Sequence, residues 1–366
     1  MNFRVKRDMS VMEIFEKSQK SLELKEQISS SSIAISCLLV ENYFDFIHIS
    51  IAKEDKDFSG WIIRNSDELD EDEDYENMVI GDTVFLNPED EGDQLTLFHE
   101  NRFTGAISLL KSLFEIFTGP ILDATFLTGT LPTPEISQFI IDAFHLNRLK
   151  ECEKVMLYDN REGSTRQVDE VLELATGLKF LDLRCPLPDE WSNPRVLQVE
   201  KLRAWPAEWF TKTDLLENLN CEVAQINETN LDCHAFTEFM LKWQASDDRR
   251  LKMLEISFDG DWEEFNTRGL EVEEWNKQER DSHFPDLLGA PTDPWFNCEF
   301  ASDIRRKDGL LASFWRRENS FHFVVWHDLH PIVTLNPNPE QLVKLEDLEF
   351  VGDEEEEEED EEEDEE

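Results

Sequence analysis

Cys233 and His234 stand side by side where a helix is expected to begin, a setting in which a thiolate can be favoured, yet no acid or amide is placed by the sequence to orient the pair. His322, His327 and His330, with Asp328, crowd several potential ligands into nine residues, but the spacing matches no common zinc pattern and the first falls on a strand. Trp205, Trp209, Trp243, Trp315 and Trp326 offer the aromatic faces of a cage or stacking platform, and most of them equally fit core positions. A G-x-S-x-G elbow, a P-loop and a glycine-rich dinucleotide turn are all missing from a chain with 13 glycines. These residues predict no catalytic group, no metal and no cofactor. The expectation is a binding protein, not an enzyme.

The elements that position these residues centre on Trp209 to Phe258. Phe236, Phe239, Met240 and Trp243 fall at i, i+3, i+4 and i+7, so a helix opening after Asp232 buries them together, with Asp232 as its cap. Leu215, Leu216 and Leu219 share one side of a preceding helix, and strands are predicted over Glu222 to Ile226 and Leu251 to Phe258. Such a unit cannot bury its own apolar face and needs neighbours to stack against. Upstream, helices are predicted over Ala106 to Thr118, Thr133 to Asn147 and Thr165 to Ala175, and strands over Lys154 to Tyr158, Lys179 to Leu183 and Val196 to Ala204. Taking Leu157, Leu181, Leu202, Ile226 and Ile256 as equivalent gives a period mostly in the twenties, which fits leucine-rich-repeat-like stacked strand and helix units over residues 103–350.

Before this region, strands over Ile33 to Val40, Phe44 to Ile51 and Gly60 to Ile63 predict a small antiparallel sheet in residues 33–100, with acidic loops at Asp67 to Glu76 and Asn87 to Asp93 and a further strand over Gln94 to Phe98. After it, Asp259 to Pro294 reads as an irregular excursion. Phe300 to Arg305 and Leu310 to Arg316 around Lys307-Asp308-Gly309, with Ser320 to Trp326, read as a hairpin cap, followed by a weak stripe of Leu342, Leu345, Leu348 and Phe350. Met9 to Gln27 reads as one or two amphipathic helices.

Asp353 to Glu366 contributes 14 of the charges in a net −48, and self-repulsion predicts a disordered tail over residues 351–366. Such a run serves solubility, or attracts basic partners such as histones. The excess of acid makes nucleic acid and anionic lipid unsuitable partners. The six scattered cysteines (Cys37, Cys152, Cys185, Cys221, Cys233, Cys298) read as reduced thiols of an intracellular protein, cytoplasmic or nuclear. Neither a secretory signal nor a membrane span is expected, since Glu41, Asn42, Asp45 and His48 interrupt the most apolar stretch.

The ordered run Trp209, Thr211, Leu215-Leu216, Asn220-Cys221, Asn230-Leu231, Phe239, Trp243 and Arg250 to Ile256, including Leu254, resembles the type 2 F-box-associated domain of the large nematode F-box family. Asp303-Ile304-Arg305-Arg306-Lys307-Asp308-Gly309, with Ala312, Phe321 and Val325-Trp326, is similar to the terminal hairpin of that family, so the resemblance covers roughly residues 199–326. Met9-Ser10, Glu13, Ser18 and Ser21 are similar to the second half of a nematode F-box, here in residues 1–28, where Met1 to Arg7 is too short to hold the first half. Where the family has a threonine cap and an acid three residues on, this chain has Asp232 and Ala235, half a capping box. The resemblance implies a non-catalytic substrate receptor of a Skp-cullin-F-box ubiquitin ligase, with a Skp-type adaptor held by Met9, Ser10, Glu13, Ser18 and Ser21. An unknown protein target would be held by the F-box-associated domain, whose motif positions are mainly structural. The alternative is an adaptor-free, acidic-tailed protein that binds basic partners.

Overall fold

A computed structural model describes residues 14–15, 35–53, 57–69, 75–88, 95–128, 134–159, 164–258, 260, 262, 265–288, 295–317 and 319–327. The segment Met9 to Gln27 apart from Ile14 and Phe15, the stripe Leu342 to Phe350 and the acidic tail lie outside the described residues, as do most of the two acidic loops.

Alternating apolar residues build the centre of the fold. Strands β1 (Ile35–Asn42), β7 (Ile121–Leu127), β8 (Lys154–Tyr158), β9 (Phe180–Arg184), β10 (Lys201–Ala204), β11 (Val223–Thr229) and β12 (Met253–Phe258) lie side by side and parallel. From β7 to β12 each strand is the spatial neighbour of the next in sequence. One buried row runs Leu38, Ala124, Val155, Leu181, Leu202, Ala224, Leu254, and a second runs Val40, Phe126, Leu157, Leu183, Ala204, Ile226, Ile256. No member of either row is more than 2% exposed. Burying each larger side chain stabilises by about 1.5–3 kcal/mol, so the rows hold the strands in register.

The equivalences expected from the sequence need correcting by two residues at two strands. Leu157 pairs with Leu183, and Leu181 and Leu202 belong to the other row. The confused residues, Leu181 with Leu183 and Leu202 with Ala204, are apolar and lie two apart on the same face, so alternation alone does not separate them.

Helices α1 (Arg102–Ile116), α2 (Pro134–His145), α3 (Thr165–Leu174) and α4 (Cys233–Ala245) supply the layer over these rows. Phe126 meets Phe144 of α2 at 5.7 Å between ring centroids. Asn101 caps α1 by accepting from the Thr104 N–H at 3.0 Å, and Ser164 caps α3. Asp232 Oδ1 accepts from the Ala235 N–H at 2.9 Å, as a cap must. Replacing it, Asp232→Ala, is expected to cost about 1 kcal/mol, read as a lower midpoint in urea with an unchanged slope.

Two predicted elements take another form. The strand expected over Val196 to Ala204 splits into a 3-10 turn, Pro194–Gln198, and the short β10, because Pro194 pre-sets the turn and Asn193 accepts from the Arg195 N–H at 3.0 Å. The helix expected around Leu215 shrinks to the single turn Asp214–Asn218, whose Asp214 carboxylate binds back to Thr211.

The sheet continues without a break on both sides. Beyond β1 come β2 (Phe46–Lys53), β3 (Asp57–Asn65), β6 (Leu95–His99), β5 (Thr83–Pro88) and β4 (Tyr75–Ile80), so the antiparallel strands expected as a small separate sheet form one end of the large one. Helix α1 packs against β2, β3 and β6. Beyond β12 come β18 (Ser320–Trp326), β17 (Leu311–Arg317), β16 (Ser302–Arg305) and the edge strand β13 (Val272–Glu273), all antiparallel. Phe323 pairs with Leu254 and Phe321 with Ile256, extending both buried rows onto the hairpin. The fold is therefore a mixed α/β arrangement around a large, mostly parallel sheet with few helices. Phe15 packs edge-on against Trp61 at 5.3 Å in the same core.

A candidate binding face on the open side of the sheet

The side of the sheet away from the helices carries the alternate residues of each strand. Its amino-terminal part is covered. Residues 283–288 and 295–301 fold back across it with the ribbon β14 (His283–Pro285) and β15 (Trp295–Asn297), and Phe284, Leu288, Cys298 and Ala301 form a second small core with Val223, Met253, Leu311, Val324 and Trp326. Lys201 Nζ donates to the Leu287 carbonyl at 2.6 Å. This is the physical account of the excursion: the sheet's first side is filled by helices, so apolar residues at the strand starts on the other side need a cover of their own.

The middle row is polar and runs in register across seven strands as Met156, Asp182, Arg203, Gln225, Glu255, His322 and Trp315. Asp182 is fully buried, and its charge is met by Arg184 Nε at 2.9 Å and Arg203 NH1 at 3.1 Å. Arg203 Nε also donates to Gln225 Oε1 at 2.9 Å, and the Gln225 side chain is hydrogen bonded to Glu255. The chain of polar groups fixes each side chain's orientation, because each satisfies the next in a site only partly open to water.

Burial raises the Glu255 carboxyl above the usual range, against the pull of the Gln225 hydrogen bond. Burial pushes the His322 imidazole down to about 3, helped by the charge of Arg317. His322 stacks flat on Trp315 at 4.8 Å, lies under Phe296 at 5.9 Å and shares a hydrogen bond with Ser320 Oγ at 2.8 Å. Its Nδ1 is 3.9 Å from Glu255, too far for a direct bond, so nothing offsets the burial that favours the neutral ring. A covered, neutral imidazole does not reach the open surface and serves packing.

The carboxyl ends of β10 to β12 remain open. A cleft there is lined by Trp205, Asn227, Glu228, Glu255, Ser257, Arg317, Asn319 and Ser320. Open α/β sheets commonly receive ligands at this end of their strands.

The residues singled out from the sequence distribute differently. Met9, Ser10, Glu13, Ser18 and Ser21 lie outside the described residues. Trp209, Leu215, Cys221, Leu231, Phe239, Trp243, Leu254, Ile256, Ile304 and Trp326 are buried, and Leu216 is half-buried against them. Trp209 meets Trp191 edge-on at 4.9 Å, and Trp326 Nε1 donates to Ser313 Oγ at 2.8 Å. Gly309 closes the β16–β17 turn at φ 88°, where a side chain is unfavourable. Arg306 is buried over the Trp243 ring at 5.4 Å and bonded to Asp308 and the Asp248 carbonyl, joining the hairpin to the end of α4. Arg305 pairs at the surface with Glu273 and Glu279.

The tryptophans do not form a cage: Trp205 is 44% exposed while Trp209, Trp243 and Trp326 are buried. His327 Nε2 is 2.7 Å from the Leu251 carbonyl, at the far end of β18 from its neighbour in the motif, and His330 and Asp328 lie outside the described residues. Cys233 is buried at the first turn of α4. Burial pushes the thiols of Cys152, Cys185, Cys221 and Cys298 up to about 12, so they stay protonated. The polar row and the ion pair of Arg280 with Asp303 were not anticipated. The alternation Leu181-Asp182-Leu183 and Leu254-Glu255-Ile256 was the available signal for the first, since it places both acids on the face opposite the leucines.

No protein-family model matches the chain, and no solved structure matches it. An uncharacterized protein of Caenorhabditis elegans is 24% identical over 266 residues, covering 69% of this chain and 60% of that protein. The match thus spans about 60% of the length of that relative. Among the described residues, no helix is long and apolar enough to cross a membrane.

Proposed function

We propose that the chain is a non-catalytic recognition subunit that holds another protein on the open side of its sheet. The observation that carries this reading is the in-register polar row from Asp182 to Glu255, which ends in a cleft rimmed by exposed polar and aromatic side chains. Preset hydrogen-bonding groups on a rigid sheet recognise a partner at little ordering cost. The order of the parallel strands supports a leucine-rich-repeat-like geometry, in which successive strands present one residue each to a common surface. With the resemblance to nematode F-box proteins, the reading becomes a substrate receptor of a Skp-cullin-F-box ligase, working inside the cell, with the ligase chemistry supplied by partner subunits.

Two separable measurements test it. Purified full chain mixed with a Skp-type adaptor is expected to co-elute on size exclusion, and a chain lacking Met1 to Ile28 is not. No complex in either case removes the ligase assignment. Cross-linking of captured cellular proteins to the full chain is expected to map to the strand face, and cross-links confined to the helix layer remove the recognition face. A second reading, an adaptor-free protein that gathers basic partners, is favoured by the net charge of −48. It requires binding of basic peptides to collapse when Asp353 to Glu366 is deleted.

A further inference from the structure

The cleft at the carboxyl ends of β10 to β12 gathers polar and aromatic side chains from several strands. Trp205 follows β10 directly and leaves its indole 44% exposed. Glu228 sits at φ 58°, a conformation side chains rarely adopt, and its N–H donates to Ser257 Oγ at 2.9 Å. The backbone there is held in an unfavourable turn that presents the carboxylate at the mouth of the cleft. Among the described residues, neither Glu228 nor Arg317 forms an ion pair, and the side-chain amides of Asn227 and Asn319 make no hydrogen bond, although their backbone carbonyls accept from Ala207 and Phe258. Glu255 forms the floor, oriented by Gln225.

We propose that this cleft seats a lysine or arginine side chain from an extended segment of the target protein, over the face of Trp205 and against the carboxylates of Glu228 and Glu255. Asn227 and Asn319 then bond the peptide backbone on either side. Two carboxylates face one guanidinium, and the indole face attracts a cation. The chain's −48 charge draws basic segments in and repels acidic ones. Arg317 is the discordant group: it lines the same cleft, its charge reaches Glu255, and it opposes the incoming cation. This inference rests on the recognition reading above and narrows it to one chemistry.

The test is calorimetric titration of the full chain at about 0.15 M salt. Three capped glycine-serine peptides serve as probes: one bearing spaced arginine and lysine, one with glutamate in their place, and one uncharged. A neutral chitin trisaccharide is the fourth, because tryptophan with amides also suits sugars. Binding of the basic peptide alone is expected. Trp205→Ala should weaken it roughly 5- to 30-fold, Glu255→Gln and the surface variant Glu228→Gln about tenfold each, and Arg317→Ala should tighten it. Glu228 is exposed, so its variant stays folded whatever Glu255→Gln does. Preferred binding of the acidic peptide or the trisaccharide overturns the proposal. So does basic-peptide affinity that none of these variants moves, which places that binding elsewhere on the chain. A protein partner cross-linked to the strand face with no basic-peptide binding sinks this inference and leaves the recognition reading standing. Peptide binding with no such partner does the reverse.

Discussion

Arg280→Ala is expected to destabilise the protein by about 3–5 kcal/mol, as much as truncating a large buried aromatic. Arg280 is fully buried, and its guanidinium donates to both carboxylate oxygens of Asp303, at 2.8 to 3.0 Å, and to the carbonyls of Cys298 and Asp281. Asp303 also accepts from Ser313 Oγ, which accepts from Trp326 Nε1. The pair joins the segment that leads into β14 to the hairpin, and the guanidinium lies 5.3 Å over the Trp326 ring. Removing the arginine leaves a carboxylate without its counter-charge, and desolvation, more than the lost attraction, sets the cost. The double variant Arg280→Met with Asp303→Leu should therefore recover much of the loss, because the uncompensated charge goes too. Urea unfolding of the two variants separates the cases. Equal destabilisation of both means that packing of the arginine stem dominates and the charge argument fails.

This knot could not be read ahead, whereas much around it could. Asp303 and Arg280 are 23 residues apart on a loop and a strand, and no periodicity couples them. By contrast, Phe236, Phe239, Met240 and Trp243 declare their helix through spacing, and Asp232 declares its start, because both signals are local. Strand β7 was not among the predicted strands; Gly119-Pro120, which ends α1, also turns the chain straight into it at Ile121. The hairpin of β4 and β5 was missed because acidic loops flank it and its outer residues, such as Val79 and Val84, are exposed, which blurs the alternation.

The candidate site shows the same division. The alternation over Leu254, Ile256 and Phe258 already put Glu255 on the opposite face, but its partnership with Asp182 and Arg203 depends on register between strands 20 to 70 residues apart, roughly a matter of tertiary packing. The expected register, two residues off at Leu181 and Leu202, would have left Asp182 out of the row it shares with Glu255. Trp205 was noted among five tryptophans, and only burial distinguishes it from the other four. The F-box-associated resemblance points to residues that build the sheet and hairpin, so it carries the scaffold and not the surface that meets a partner.

Acid should expose the second side of the sheet before the first, through His322. In the unfolded chain this imidazole titrates near 6.5, and in the folded protein burial under Trp315 and Phe296 holds it down to about 3. Between those values the unfolded state binds the extra proton. Stability from this group is complete above pH 6.5 and falls as pH drops through 6.5 towards 3, by about 2 kcal/mol at pH 5. Glu255 acts in the opposite sense, because its raised folded pKa lets the folded state keep a proton that the unfolded chain has already lost. A comparison with a His322→Phe variant removes that background, since Glu255 is present in both and phenylalanine keeps a ring against Trp315. The stability difference between the two proteins, measured in urea at pH 7.5 and pH 5.0, is expected to move by about 2 kcal/mol in favour of the variant at the lower pH. A difference that stays constant means that Glu255, 3.9 Å away, and Ser320 hold the protonated ring in place. In that case the strand face would carry a buried cation at its centre below about pH 6.5, and the cleft beside it would repel at acid pH the basic side chain proposed to occupy it.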